Sequence, residues 1–104
     1  MKAFLIDANS QTVSPVELTD GLAGIRTLIG FDTVDSDEID ASGDRLFFDE
    51  RCFLRDQAGK GRFKLDNLAP LANKAVVAGS SDGGATLKEA AVDPGALQAR
   101  ITWL

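Results

Sequence analysis

A strand that carries acid on both of its faces can lie only at a sheet edge or in solvent. This chain contains such a segment. Residues 32–50 hold eight carboxylates against one arginine, a net of −7, and residues 51–64 hold five cations against one aspartate, a net of +4. On an extended strand Asp35 and Asp37 share one face, while Glu38 and Asp40 fall on the other. The pattern predicts a hairpin with arms at 31–40 and 45–53 around Ala41-Ser42-Gly43-Asp44, its acidic arm being an edge strand or a solvated arm. Leu46, Phe47, Phe48, Phe53 and Leu54 return the chain to the core.

The rest of the sequence limits how elaborate a fold can surround that hairpin. A chain of 104 residues fits one domain, 1–104, with one small core. The single cysteine, Cys52, allows no intrachain disulfide and fits a reducing, cytoplasmic setting. Its neighbours Arg51 and Arg55 would favour a thiolate, but a small buried hydrophobe is the reading preferred here. The apolar run after Lys2 ends at Ile6, so no signal peptide is predicted, and no run approaches the ~20 apolar residues of a membrane span. Histidine is absent, which removes the commonest general base and the commonest transition-metal ligand. A net charge of −5 opposes direct binding to nucleic acid or to an anionic membrane.

In chain order, residues 2–7 form a short apolar run that reads as a buried strand. Residues 12–18, with Pro15 inside, read as its hairpin partner on an edge, placing Asp7 near the tip. Residues 20–29 are the one clear helix, with Asp20 as its cap, Gly30 as its stop and a stripe of Leu22, Ile25, Leu28 and Ile29. Residues 56–62 form a basic loop around Gly59-Lys60-Gly61. Leu65, Leu68 and Leu71 have helical spacing, but Pro70 limits any helix to a turn. Residues 74–79 are a strand and 80–84 a Gly/Ser loop. At the C-terminus Asp93-Pro94 suits a helix start. The alternation of Leu97, Ala99, Ile101 and Trp103 argues instead for a turn at 93–95 followed by a terminal strand, the reading preferred here. Together these give an α+β single domain, mainly antiparallel sheet, with one short helix on a face.

Phe4-Leu-Ile-Asp7-Ala-Asn9 resembles the opening of nuclease domains of the PIN and NYN type, where an aspartate at a strand end holds a divalent metal. Here a second strand follows where a helix is needed, and Asp7 reads better as a turn residue. An EF-hand loop needs glycine at its sixth position and glutamate at its twelfth; counted from Asp40 these are Arg45 and Arg51. Carboxylates two apart on a strand, about 6–7 Å from each other, could imitate nucleic-acid phosphates. The adjoining basic run would be repelled by the same basic groove. That run, with Phe53 and Phe63, has the residue types of a single-strand binder, but its field is largely cancelled by the eight acids. Neither glycine cluster has the spacing of a phosphate-binding loop. No cofactor, metal or catalytic residue is assigned.

Four stretches, Met1-Lys-Ala-x-Leu-Ile-Asp7, Leu22-x-x-Ile-Arg-x-Leu-Ile-Gly30, Gly43-Asp-Arg-Leu-Phe-Phe-Asp49 and Asn73-Lys-Ala-Val-Val-Ala-Gly79, loosely resemble small uncharacterised proteins carried by phages, plasmids and integrated elements. The resemblance implies an accessory or host-interaction role and no activity. The expectation is therefore a non-enzymatic module that binds a protein partner or itself, as a homodimer. Its contact residues would be Asp35, Asp37, Glu38, Asp40, Arg51 and Arg55. A metal-dependent nuclease using Asp7, or an acidic nucleic-acid mimic, is the alternative.

Overall fold

The computed structural model describes residues 1–51 and 61–104. Their strands are β1 (Lys2–Asp7), β2 (Thr12–Glu17), β3 (Val34–Glu38), β4 (Asp44–Asp49), β5 (Arg62–Leu65), β6 (Leu71–Ala72), β7 (Lys74–Gly79) and β8 (Ile101–Trp103). Helix α1 spans Leu22–Ile29 and α2 spans Pro94–Ala99. Five strands form one antiparallel sheet in the order β2-β1-β7-β4-β3, and three form a second in the order β6-β5-β8. The architecture is the expected α+β one, with two short helices.

The five-stranded sheet is two hairpins joined by a strand that comes later in the chain. β7 inserts between β1 and β4 and is buried on both faces, which explains its continuous apolar run from Ala75 to Ala78. Side chains alternate across the sheet. Phe4, Ile6, Leu46, Ala75 and Val77 face the second sheet, where they meet Phe63, Leu65, Leu97 and Ile101. Ala3, Phe47, Val76 and Ala78 face α1, which contributes Ile25 and Ile29. The layers are thus α1, the five-stranded sheet, and the smaller sheet with α2.

Two local expectations, the Asp20 cap and the C-terminal strand, are corrected, and the reading of 65–71 is resolved. Asp20 does not cap α1: the helix begins after Gly21 at φ 58°, with no side-chain cap bond. Gly30, in left-handed conformation, does stop it, and its N–H donates to the Arg26 carbonyl. The leucines at 65, 68 and 71 belong to a strand, a turn and a strand, because φ 50° at Asp66 breaks the chain away from any helix. At the C-terminus, residues 97 and 99 are helical. Asp93 caps α2, its Oδ2 accepting from the Ala96 N–H at 3.2 Å, and Pro94 is at the first position, so only Ile101–Trp103 remains strand. The four-residue alternation came from a helix and a strand placed end to end.

Candidate functional site

The predicted acidic hairpin exists as β3 and β4, and β3 is a sheet edge. Its register pairs Asp35 with Phe48, Asp37 with Leu46 and Glu38 with Arg45. The Ile39 N–H donates to Asp44 O and the Glu50 N–H to Thr33 O, which sets the phase of the ladder. Odd residues of β3 therefore bond to β4, and the backbone groups of Val34, Ser36 and Glu38 point to the open edge.

That edge is closed at its centre by side chains. The Asp35 carboxylate accepts the Ser36 N–H at 2.8 Å, and the Arg45 guanidinium donates to the Ser36 carbonyl at 2.9 Å. Arg45 Nε donates to Ser36 Oγ as well. The loop after β7 covers the same place: a Cβ on Gly84 (φ +100°) would stand 2.9 Å from Ser36 Oγ. Both backbone groups of the middle edge residue are thereby occupied, a barrier to strand addition.

The eight carboxylates divide sharply. Asp44 is fully buried; its Oδ1 accepts the Ala91 N–H at 2.8 Å and its Oδ2 the Val92 N–H at 2.9 Å. It thereby pins residues 88–92 across the end of the sheet, where Gly79 and Lys88 also exchange backbone bonds and the Ala90 N–H reaches Lys2 O. Asp49 is buried too, accepting from the Thr33 hydroxyl at 2.6 Å and the Arg51 N–H at 3.1 Å. Asp40 lies beyond the end of β3, where it accepts the Ser42 N–H and an Arg100 Nη1–H at 3.0 Å. The Ser42 hydroxyl and N–H, with Arg100 adding its charge, hold the Asp40 carboxyl below the ordinary carboxylate range. Arg100 also bridges to Asp66, whose hydrogen bonds raise the arginine's own pKa. Asp37 and Glu38 are exposed and make no side-chain bond among the described residues.

The basic stretch at 51–64 follows these acids directly in sequence. Among the described residues, the ion pair reaching the hairpin comes instead from Arg100, sixty positions from Asp40 in sequence. Arg51 is exposed next to β4, with its N–H on Asp49. Arg55, Cys52, Phe53, Leu54 and the Gly59-Lys60 part of the basic loop lie outside the described residues.

Asp7 is the turn residue that the local chemistry suggests. It accepts the Asn9 N–H at 3.0 Å. Asn9 in turn accepts the Gly61 N–H at 2.7 Å and donates to Asn73 Oδ1 at 2.6 Å, tying the β1–β2 tip to two other loops. Asp40 accepts from Ser42 and Arg100, Ser42 Oγ from the Asp44 N–H, and Asp44 from Ala91 and Val92, and among the described residues no three His, Cys, Asp or Glu side chains converge as a metal site. No helix among them is long and apolar enough to cross a membrane.

Sequence reasoning missed the structural role of Asp44 and the reach of Arg100. Neither carries a local signal, since each depends on a partner dozens of residues away. No protein-family model matches the chain, and neither a curated protein nor a solved structure matches it.

Proposed function

We infer that the chain is a non-enzymatic binding module that associates through the side chains of its β3 edge with a basic protein surface. The single observation behind this reading is that Asp37 and Glu38 are exposed with no bond among the described residues, whereas Asp40, Asp44 and Asp49 are consumed inside the fold. A free carboxylate pair on an edge whose central backbone groups are occupied favours contact through charge over contact through an added strand. The chain carries its own complementary segment, the net +4 stretch at 51–64, so a second copy is the partner we favour. A cytoplasmic setting follows from the lone cysteine. A mobile-element accessory role follows from the loose resemblance noted above.

The test is the mass in solution of the wild type and of the Asp37→Ser/Glu38→Ser variant. Association that weakens between ~50 mM and ~500 mM salt, and that the double substitution removes, supports the reading. A wild type that stays at its 11.0 kDa monomer mass and ignores basic partners in low salt defeats it.

A further inference from the structure

The β3–β4 turn and the loop after β7 enclose a polar cleft of about 340 Å³, whose lining includes Glu38, Arg45, Ser81 and Lys88. We propose that this cleft binds a phosphate-type oxyanion between Arg45 and Lys88. Glu38 is shared with the association proposed above, but the site rests on Arg45 and Lys88 and stands whether or not that association occurs.

Among the described residues neither cation is paired with a carboxylate. Lys88 is anchored by its two backbone bonds to Gly79, at 3.0 and 2.8 Å. Its ammonium then reaches the β3–β4 turn, where Nζ stands 3.1 Å from the position a Cβ on Gly43 would take. Gly43 (φ +96°) leaves room for that approach. Among the described residues Lys88 has no carboxylate partner. Arg45 is oriented by Ser36, which takes Nε and one Nη2 hydrogen at 2.9 Å each; among the described residues Nη1 makes no bond. Its bonded partners there are neutral oxygens of Ser36 and not a carboxylate.

The loop's own acid, Asp82, stays ionised and is engaged within the loop, and it does not line the cleft. Asp82 Oδ1 accepts from the Ser80 hydroxyl and from the Thr86 N–H, both at 2.8 Å. Hydrogen bonds from the Thr86 backbone, then from the Thr86 and Ser80 side chains, hold its carboxyl below the usual range. Ser80 Oγ receives the Gly84 N–H at 2.9 Å, so the loop is shaped by internal bonds. The lining residues include two cations, one carboxylate, Glu38, and Ser81. This arrangement lacks the helix and spacing of a nucleotide phosphate loop. It provides a fixed fork and a point charge for a small tetrahedral anion.

The experiment is amide NMR titration of the full chain with inorganic phosphate and, separately, phenyl phosphate, against sodium chloride at matched ionic strength. Saturable shifts at Gly43, Ser81 and Gly83, with half-saturation at ~1–10 mM, support the site. Binding of both probes assigns it to phosphate groups in general, and binding of inorganic phosphate alone to the free ion; either supports the proposal. Lys88→Met keeps the stem over Gly79, should leave unfolding unchanged because Lys88 is exposed, and should weaken binding about tenfold. Glu38→Gln removes a like charge and should tighten binding about threefold. Shifts that do not saturate, unchanged affinity in Lys88→Met, or weaker binding in Glu38→Gln would each overturn the assignment.

Discussion

β3 and β4 lie side by side in one hairpin and are both acidic, yet their carboxylates have opposite fates. The two on β4, Asp44 and Asp49, are closed off from water and take hydrogen bonds from distant backbone or from a neighbouring hydroxyl. The three on β3 are exposed, and only Asp35 is engaged, with the adjacent Ser36 N–H. The difference lies in the number of donors that the fold aims at each position. A buried carboxylate persists only where donors satisfy it, so β4's acids belong to the fold's construction and β3's to its surface. A charge count along the sequence merges the two groups.

The largest expected effect breaks the buried side of the comparison. Asp44→Ala leaves two N–H groups, of Ala91 and Val92, without their charged acceptor, and should cost about 3 kcal/mol or more of stability in urea unfolding. Asp44→Asn keeps one acceptor oxygen and should lose roughly half as much. Next comes Asp49→Ala, which strands the Thr33 hydroxyl and the Arg51 N–H and should cost about 1–2 kcal/mol by the same measurement.

Arg100→Met tests the intermediate case, a partly buried arginine between Asp40 and Asp66, and should cost no more than about 1 kcal/mol. It should also change the acid limb. Asp40's folded pKa lies below its unfolded value, so its contribution is present above the unfolded pKa and is lost as pH falls through the folded one. Because the Ser42 bonds are the larger cause, Asp40→Asn should flatten that acid loss more than Arg100→Met does. The smallest effect on stability belongs to β3: Asp37→Ser/Glu38→Ser should stay within about 0.5 kcal/mol of wild type in urea unfolding.

Much of the fold is legible because its signals are local. The β1–β2 hairpin follows from a short apolar run, a turn and Pro15; β7 from an apolar run; α1 from its stripe and Gly30. What stays hidden depends on distant partners. Asp44 sits in a turn-like Ser-Gly-Asp context that predicts exposure, and its burial is set by N–H groups 47 and 48 residues later. Arg100 lies in a stretch that alternates like a strand, and its two acids come from separate loops. Of the expected contact residues, Asp35, Asp37 and Glu38 lie together on the edge, whereas the Asp40 carboxylate is already engaged. Lys88 draws no notice in sequence because its significance rests on the close approach of its ammonium to the turn at Gly43.

The most direct test of the β3 edge as the associating surface is sedimentation equilibrium in ~50 mM salt, comparing wild type with Asp37→Ser/Glu38→Ser. The account predicts a wild-type mass approaching twice 11.0 kDa and a monomeric variant. Equal masses for the two proteins would contradict it.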